Sequence, residues 1–435
     1  MKILIVTAWY YPFIHPRAHR WTALAEHWAA GGHEVHVVCG RLRGYPPESV
    51  LTGVQVHRTG FDSLKEVFYY YFSGKNARSR PDTGVKPVSW LSRLMFFIYK
   101  NVWKQIHFPD DASIWYAAAL RKSEAIIRKH QIRAVVSVSF PFTAHLVGLA
   151  LKKKFPHLHW VADTGDPFSI RDVPLYNAFF YGKMIARLEK NILQTADCVT
   201  VTTQALRRKY MRVFGREVGK NIEIAPPLLH PAADFLSAEI LPEWAIQKRN
   251  GEIHLGYFGA FLPIIRTPDA LFMLLDYLHS TRPDVYERLR IHIFGEILPE
   301  FLPAFQRYPA VVLYGLRSRS HTRAAMLQMD GLIHIGNRTD YQLPSKSVDY
   351  LASGLPVLHF SYADDDPFMA FWGDLPGLTR IQVFETALKG ADNVDWEMFG
   401  PHAEGRAGMK SVRAAAAKKY GVEVLGQTFL QWLQQ

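Results

Sequence analysis

Residues 343–357 place a lysine and an aspartate one helical turn apart, beside residues that begin and end a helix. They read Leu-Pro-Ser-Lys-Ser-Val-Asp-Tyr-Leu-Ala-Ser-Gly-Leu-Pro-Val. Pro344 suits a first helical turn, where free backbone amides favour an anion, and Lys346 in that turn offers its ammonium to a phosphate. Asp349 lies on the same face and can accept hydrogen bonds from ribose hydroxyls. The alternative is a helix with ordinary surface charges.

A second basic residue follows a glycine turn. Residues 256–270 read Gly-Tyr-Phe-Gly-Ala-Phe-Leu-Pro-Ile-Ile-Arg-Thr-Pro-Asp-Ala, which predicts a strand, a turn at Gly259, an apolar loop and a helix. Thr267 is predicted to cap this helix, with Pro268 at its start. Arg266, just before the cap, can point into the same cleft as the helix N-terminus and neutralise a diphosphate there bidentately. The alternative is a surface arginine on a loop.

Two aspartates close a third segment, residues 160–168, which reads Trp-Val-Ala-Asp-Thr-Gly-Asp-Pro-Phe. Rossmann-like enzymes place working residues at carboxyl ends of strands, so Asp163 or Asp166 is a candidate to orient or deprotonate a hydroxyl. An Asx-turn that merely caps a helix is the alternative. His145, near the start of the preceding helix, is a further candidate, although a lone histidine among nineteen is usually structural.

Strand and helix patterns alternate in two successive series, which predicts parallel βαβ crossovers and an α/β fold with two Rossmann-like, doubly wound domains. The strands predicted in the first series are Ile3–Thr7, Glu34–Cys39, Val54–Thr59, Ala134–Phe140, His159–Thr164, Cys198–Thr203 and Asn221–Ala225. Those in the second series are His254–Gly259, Ile291–Gly295, Val311–Tyr314, Gly331–Ile335, Pro356–Phe360 and Arg380–Phe384. The clearest helices are Arg17–Ala30, Pro268–His279, Ser345–Ala352 and a final helix from about Lys410.

A proline-broken stretch from Pro226 to Pro242 reads as a linker between the two series. We therefore expect a first domain over residues 1–227 and a second over 228–415. A helix over 416–435 is expected to pack back towards the first domain. Ligands of such sheets bind at the carboxyl ends of the strands, so an active site is predicted in a cleft between the domains.

The formal net charge of +12 and the pI near 9.5 predict an anionic partner. No zinc-knuckle spacing, RNP-like run or basic-region heptad accompanies the charge, which disfavours nucleic acid. Cys39 and Cys198 lie far apart, so neither a disulfide framework nor a metal-ligand spacing follows from them. The first apolar run is too short for a signal peptide, and no apolar stretch reaches about 18 residues. We therefore expect a cytoplasmic protein.

Residues 64–108 interleave aromatic and basic side chains. Residues 68–72 read Phe-Tyr-Tyr-Tyr-Phe, and Arg93, Lys100 and Lys104 fall on one face of a predicted helix. This pattern predicts a helix in an anionic membrane interface, with its basic side towards the headgroups. The alternative is a core helix with a solvated stripe. Single-stranded nucleic acid would also suit the pattern, but no other feature supports it.

The 343–357 segment resembles the nucleotide-sugar motif of family 4 glycosyltransferases, which have the two-Rossmann GT-B fold. In that motif a Pro-x-Lys leads into a helix with an acidic residue, followed by a small residue, glycine and Pro-Val. The resemblance implies that Lys346 and Arg266 contact the donor diphosphate and that Asp349 contacts the ribose. By the same resemblance, the remaining donor-site residues are Gly259, Gly295, Leu316, Arg317, Pro344 and Ser345.

Two segments depart from the family pattern. Tyr341 stands where many relatives have a glutamate, and the second acid, Asp349, is an aspartate rather than a glutamate. In the first loop, a histidine, a proline and Arg17 replace the glycine pair that relatives often have. Arg17 and Arg20 are candidates to replace the missing backbone amides as cations.

The resemblance implies a glycosyltransferase of bacterial polysaccharide or glycolipid biosynthesis. It would move a sugar from a UDP- or GDP-sugar to a hydroxyl of a lipid-linked or growing glycan, with retention. No cofactor and no metal are expected, and the enzyme would be cytoplasmic and peripheral at the inner face of the membrane. Two other readings remain open: a GT-B epimerase or hydrolase of the sugar nucleotide, and a non-catalytic, membrane-bound assembly partner.

Overall fold

The computed structural model describes the chain except residues 14, 69, 72–101, 103, 230–239, 345, 401–402 and 435. The chain divides into two compact units. One is formed by residues 1–226 together with 422–435, and the other by residues 227–421. Each contains a mostly parallel sheet with helices packed on it.

The first unit is built on an eight-stranded sheet in the order β3-β4-β2-β1-β5-β6-β7-β8. Its neighbouring strands are parallel except for β3 and β4. Residues 3–6 are fully buried, as expected for an apolar strand covered on both faces. The strands are β1 (Lys2–Val6), β2 (Glu34–Cys39), β3 (Glu48–Leu51), β4 (Val54–Arg58), β5 (Ala134–Val138), β6 (His159–Asp163), β7 (Cys198–Val201) and β8 (Ile222–Ile224).

Helices of the first unit come from both ends of the chain. They are α1 (Pro16–Ala30), α2 (Leu64–Phe68), α3 (Lys104–Ile106), α4 (Tyr116–His130), α5 (Thr143–Lys154), α6 (Ala178–Thr195), α7 (Gln204–Phe214) and, from the C-terminal segment, α15 (Val422–Trp432). Short 3-10 helices cover Asp111–Trp115 and Arg216–Asn221. Helix α15 packs on α1, where Trp28 Nε1 donates to the Gly426 carbonyl at 3.1 Å and the Phe429 ring lies 5.1 Å from that of Trp21.

The second unit is built on a seven-stranded sheet in the order β11-β10-β9-β12-β13-β14-β15, parallel except for its last pair. The strands are β9 (Ile253–Phe258), β10 (Leu289–Phe294), β11 (Val311–Gly315), β12 (Gly331–Ile335), β13 (Val357–Ser361), β14 (Leu378–Val383) and β15 (Leu388–Lys389). The helices are α8 (Asp269–Thr281), α9 (Pro283–Arg288), α10 (Leu302–Phe305), α11 (Arg319–Leu327), α12 (Ser347–Ser353), α13 (Pro367–Trp372) and α14 (Ala403–Tyr420). Short 3-10 helices cover Pro242–Trp244 and Trp396–Phe399.

Each strand predicted from the sequence is present, with ends displaced by a few residues. The sequence analysis missed β3 and β15, which are short antiparallel edge strands. Most of β3 is exposed or half-buried, so it lacks the apolar run that identifies a central strand. The predicted single C-terminal helix is wrong, because the chain breaks at Gly421 and forms α14 and α15.

In both sheets the chain reverses its direction of winding beside the first strand of the series. The reversal lies between β1 and β5 in the first sheet, and between β9 and β12 in the second. Loops that follow these strands diverge and leave a crevice at the carboxyl edge, where doubly wound sheets bind their ligands. Residues 7–15 follow β1, 139–142 follow β5, 259–268 follow β9, and 336–346 follow β12.

Candidate functional site

Arg266 lies in the loop after β9, on one side of the crevice in the second unit. Leu262 and Arg266 exchange two backbone hydrogen bonds of 2.8 and 2.9 Å, which close the loop, and Arg266 Nε donates to the Ala260 carbonyl at 3.2 Å. The predicted Thr267 cap is wrong. Helix α8 begins at Asp269 without a side-chain cap, and the Thr267 hydroxyl donates instead to the Asp269 carboxylate at 2.6 Å.

Lys346 lies after β12, on the other side of this crevice. Its ammonium pairs with Asp349 Oδ2 at 3.1 Å, so the two residues do share a face, as their spacing predicts. The lysine side chain is 36% exposed and that of Asp349 10% exposed. Helix α12 begins at Ser347 with Lys346 as its N-cap residue, later than predicted, and Pro344 is buried just ahead of it. Ser345, also assigned to the donor site, lies outside the described residues.

Tyr350 connects the two sides of this crevice from beneath. Its hydroxyl accepts a hydrogen bond from the Phe258 amide and donates one to the Ile333 carbonyl, each 2.9 Å long, which joins α12 to β9 and β12. Burial raises the pKa of Tyr350, and the nearby Arg266 guanidinium partly opposes that rise. Arg266 is therefore near enough to α12 for its charge to act on Tyr350. The sequence analysis did not identify Tyr350, because an interior tyrosine in a helix carries no distinctive spacing.

His334, at the end of β12, contacts the same helix. Its Nε2 lies 3.2 Å from the Ser347 hydroxyl, and its ring stacks on Phe368 with centroids 3.6 Å apart. Burial, then His359 and Arg266, hold the pKa of His334 well below its usual range. The imidazole is therefore neutral and adds no charge beneath the two cations.

The remaining predicted donor residues surround the neighbouring strand ends. Gly295, at φ 153°, leaves no room for a side chain, because a Cβ would lie 1.9 Å from the Gly259 carbonyl oxygen. Leu316 is 61% exposed, and Arg317 is also exposed. Tyr341, which stands where relatives have a glutamate, is only 2% exposed. Its side chain is therefore part of the interior.

Asp163, at the end of β6, is the centre of a buried polar network in the first unit. Its side chain is 2% exposed, and Oδ2 accepts hydrogen bonds from Arg17 Nη2 at 2.5 Å and Trp21 Nε1 at 2.6 Å. Oδ1 accepts from the Thr200 hydroxyl at 2.6 Å. Burial opposes ionisation, but the guanidiniums of Arg17 and Arg20 outweigh it and hold the pKa of Asp163 below its usual value. With both oxygens bonded inside the protein, Asp163 is a positioning residue.

Asp166 is half-buried in the loop that follows this strand. Glu189, 2% exposed on α6, holds the loop by accepting hydrogen bonds from the amides of Phe168 and Ser169, each 2.8 Å long. It also accepts from the Ser169 hydroxyl and from Tyr210 at 2.7 Å. Of the two predicted aspartates, Asp166 is the one with solvent access. Sequence reasoning missed Glu189, because a glutamate within a helix is usually exposed.

His145 and the two N-terminal arginines bond within the protein. His145 is fully buried between the hydroxyls of Ser137 and Thr164, at 2.7 and 3.2 Å, and burial lowers its pKa to about 3. Arg17 Nε donates to the Ser139 carbonyl at 2.8 Å, across the β1–β5 reversal. Arg20 donates to the Pro226 carbonyl at 2.7 Å. The sequence analysis made both arginines candidate cations for a ligand; in the structure their guanidiniums bond backbone carbonyls and, for Arg17, the Asp163 carboxylate.

A pocket opens at the carboxyl ends of β1, β2 and β4, beside the first crevice. Its lining residues are Ala8, Trp9, Tyr10, Phe13, Cys39, Gly40, Arg41, Leu42, Arg58, Asp62 and Glu66. Trp9 and Phe13 stack with ring centroids 5.3 Å apart, and Trp9 Nε1 donates to Asp62 Oδ2 at 2.6 Å. Aromatic faces, carboxylates and guanidiniums together suit a polyhydroxyl ligand that bears a negative charge.

Residues 18–226 match the family described as glycosyl transferase 4-like domain. Among solved structures, α,α-trehalose 6-phosphate synthase from Burkholderia multivorans aligns at 12% identity with a TM-score of 0.63, covering 100% of this chain and 98% of that chain. Anabaena HepE, in complex with UDP-glucose, aligns at 12% and 0.54, covering 100% and 99%. WaaG, a glycosyltransferase involved in lipopolysaccharide biosynthesis, aligns at 14% and 0.54, covering 98% of each chain. No curated protein sequence matches. These alignments confirm the predicted α/β fold with two doubly wound sheets.

We predict that Arg17→Met lowers the free energy of unfolding by about 3 kcal/mol at pH 7, because it leaves a buried carboxylate without its cation. In the wild type the Asp163 pKa is depressed, so the pair stabilises above the ordinary value near 4 and is lost as pH falls through the folded value. In the variant the buried carboxylate titrates at higher pH, so the loss should shrink towards pH 4. Urea unfolding between pH 4 and 8 measures this.

Arg17→Lys is the matched control, since it retains the charge and removes the planar fork. It should lose less stability than Arg17→Met at pH 7. An equal loss for Arg17→Met at pH 4 and pH 7 would contradict the ionised network.

Proposed function

We propose that this chain is a glycosyltransferase of GT-B fold, with the donor site, acceptor site and mechanism given below; its residues 18–226 match the glycosyl transferase 4-like domain. The second unit binds a nucleotide-diphosphate sugar. The first unit binds the hydroxyl compound that receives the sugar. The observation on which the donor site rests is the sheet order, which places the loops with Arg266 and Lys346 after the neighbouring strands β9 and β12, at the reversal of winding.

The positive charge of Arg266 and Lys346 favours a donor that carries negative charge. A sugar nucleotide gains negative charge on its diphosphate as the bond to the sugar breaks. Arg266 and Lys346 follow β9 and β12, and the interior side chains of Tyr350 and His334 near them are neutral. Two cations stabilise a dianion more than an uncharged ligand, even though one of them also pairs with Asp349. The Asp349 carboxylate, which pairs with Lys346 at 3.1 Å, is positioned to accept ribose hydroxyls.

The base of the donor is uracil in this proposal, with guanine as the competing outcome of the test. HepE, one of the structural neighbours, was solved with UDP-glucose. The Gly259–Gly295 contact supports a tight approach to the nucleotide, because the two strand-end backbones leave no side chain between them. Leu316 and Arg317, both exposed in the loop after β11, contact the edge of the base in this proposal.

The acceptor is a glycan hydroxyl, with Asp166 as the group that orients it or takes its proton. Asp166 is the partly exposed carboxylate at the end of β6, in a loop fixed by Glu189. The aromatic and charged pocket of the first unit supports a sugar with an anionic substituent. WaaG, another neighbour, is involved in lipopolysaccharide biosynthesis, which supports a lipid-linked or growing glycan.

The transfer proceeds with retention of configuration and without a catalytic metal or other cofactor. Retention follows from the family 4 resemblance of residues 343–357. Arg266 and Lys346 supply the positive charge that a divalent ion supplies in metal-dependent transferases. An epimerase or hydrolase of the sugar nucleotide would use the same donor site, and a non-catalytic assembly partner would not turn it over.

Association with an anionic membrane belongs to the same proposal. Most of residues 64–108, on which the sequence prediction rested, lie outside the described residues. The described part of the first unit offers α6, where Phe179 is 91%, Phe180 59% and Met184 51% exposed. Lys183 lies one turn from Phe179 and is also exposed. Exposed aromatic residues beside a cation suit a headgroup interface. Among the described residues, no helix is long and apolar enough to cross a bilayer.

We expect UDP and UDP-sugars to stabilise the wild type by roughly 2.7 kcal/mol at a hundredfold excess over Kd. Lys346→Ala and Arg266→Ala should each lose most of that shift, because each leaves the diphosphate with one cation. Thermal shift against UDP, GDP and ADP measures it. Arg282→Ala, at the far end of α8, is the matched control and should respond like the wild type. If no nucleotide shifts the wild type, the donor site is wrong.

Asp166→Asn should lower the rate of sugar transfer by roughly 10² to 10⁴, the usual effect of removing an acid–base group, while nucleotide binding persists. The assay follows UDP release with and without a glycan acceptor. Asp172→Asn, in the same loop region and paired with Lys209, is the control. Release that does not depend on the acceptor would favour the hydrolase, and full activity of Asp166→Asn would remove Asp166 from the mechanism.

Replacing both Phe179 and Phe180 by serine should weaken binding to anionic vesicles at least about tenfold, because one buried phenylalanine side chain contributes roughly 1.5–3 kcal/mol. Co-sedimentation with phosphatidylglycerol vesicles measures this. Val50→Ser, at a 70% exposed position on the edge strand β3, controls for lost surface hydrophobicity. Equal binding of the two variants would exclude α6 as the contact.

A further inference from the structure

Three ionisable side chains meet at the amino end of β2, away from the strand ends used above. They are Glu34 and His36, on β2, and His130, the last residue of α4. Glu34 Oε1 lies 3.0 Å from His36 Nε2 and 2.6 Å from His130 Nδ1, and the three ligand-type atoms all lie within 4.8 Å of one another. Glu34 and His130 are partly exposed, so an ion can reach them from solvent.

The separations suit a small divalent cation. Zinc bonds of about 2.0–2.1 Å in a tetrahedron place neighbouring ligand atoms about 3.3 Å apart. The Glu34–His36 separation is close to that value, and the Glu34–His130 separation requires an opening of about 0.7 Å. Lys2 lies 3.6 Å from Glu34 Oε2, which leaves Oε1 as the ligand.

Behind His36, a series of contacts leads through His57 to Glu48, and one imidazole nitrogen in it has no hydrogen-bond partner within the part of the chain that the structure describes. His36 Nδ1 lies 3.1 Å from His57 Nε2, and His57 Nδ1 faces Glu48 Oε1 at 3.6 Å. Among the described residues, the buried His57 Nδ1 has no hydrogen-bond partner. Two neutral imidazoles carry two protons, which serve the Glu34–His36 and His36–His57 contacts, so a bare His57 Nδ1 is left facing the Glu48 carboxylate. Lys122 pairs with the same Glu48 oxygen, so that carboxylate remains an acceptor.

A cation on Glu34 and His36 would complete this series of contacts. With His36 Nε2 bound to the ion, its Nδ1–H donates to His57 Nε2, and the His57 Nδ1–H then faces Glu48. Each contact then contains one proton or one metal ion. An imidazole ligand whose second nitrogen donates to a fixed acceptor is the usual outer arrangement of a metal site.

The second unit contains a similar glutamate–histidine–histidine series, in which each of these imidazole nitrogens has a partner. Glu252 lies 3.1 Å from His254, which lies 2.9 Å from His292, and His292 ends on the Tyr314 hydroxyl at 3.0 Å. The Tyr314 hydroxyl supplies a third proton, so each of these three contacts can be a hydrogen bond. Arg290 occupies the other Glu252 oxygen at 2.9 Å. The nitrogen without a hydrogen-bond partner is therefore found in the series of contacts at β2 and not in the one at β9.

We propose that Glu34, His36 and His130 bind one Zn²⁺ ion, with water in the fourth position and with His57 and Glu48 orienting His36. The ion would connect β2 to the end of α4 and stabilise the first unit. About five residue steps of β2, roughly 16 Å, separate Glu34 from the carboxyl edge, so the ion takes no part in sugar transfer.

The test uses the full chain, stripped with a chelator and titrated with Zn²⁺ by calorimetry. We expect one equivalent to bind and the first unit to unfold at a higher temperature. Glu34→Gln and His130→Ala should each weaken binding at least about tenfold, and His57→Phe by about tenfold through His36. Glu252→Gln, at the matching position of the second unit, and His157→Ala, an exposed histidine, should bind like the wild type.

Cobalt gives a second readout that does not depend on the stability of a variant. Co²⁺ in the wild type should show the visible absorption of a tetrahedral site with nitrogen ligands, and Glu34→Gln should lose it. No saturable Zn²⁺ binding would overturn the proposal. Equal binding by wild type, Glu34→Gln and His130→Ala would also overturn it, since the ion would then be held by scattered histidines.

Discussion

The buried carboxylate of Asp163 is the constraint on which the first unit depends. An ionised group 2% exposed is costly unless its oxygens are satisfied, so Arg17, Trp21 and Thr200 must all be in place when the unit folds. Those partners come from α1 and β7, and Arg17 also bonds the end of β5. The network therefore fixes the loops at the carboxyl edge relative to one another. Asp166, three residues further along the chain, therefore follows a strand end that is held rigidly.

The second unit positions its crevice loops mainly through a neutral side chain. The hydroxyl of Tyr350 joins β9, β12 and α12, and neutral His334 packs beside it. The cationic side chains of Arg266 and Lys346 lie in the loops at the crevice. The buried carboxylates of this unit have basic partners: Asp349 pairs with Lys346, and Asp366 lies 3.2 Å from His359.

The fold could be predicted because apolar strand runs and helix signals alternate along the chain, and the loops with Arg266 and Lys346 follow strands at a reversal. What the sequence did not indicate was the direction of side chains at strand ends. Asp163 and His145 were candidates by position, and only packing shows that both point inwards. Glu189 resembles any helical glutamate. Glu34 and His130 are 96 positions apart, so no spacing rule could have brought them together. Edge strand β3 lacks the apolar run that prediction relies on.

The return of α15 to the first unit has a consequence for biosynthesis. Residues 1–226 leave the ribosome with Trp21 and Trp28 still lacking the helix that covers them, because Gly426 and Phe429 belong to the end of the chain. At about 5–20 residues per second, the intervening segment takes roughly 10–40 s to synthesise. During that interval the second unit can close its own sheet, since residues 227–421 are contiguous. The unit made first is thus completed last, and the nascent chain must protect the surface around Trp21 and Trp28 from aggregation until residues 422–435 have been synthesised.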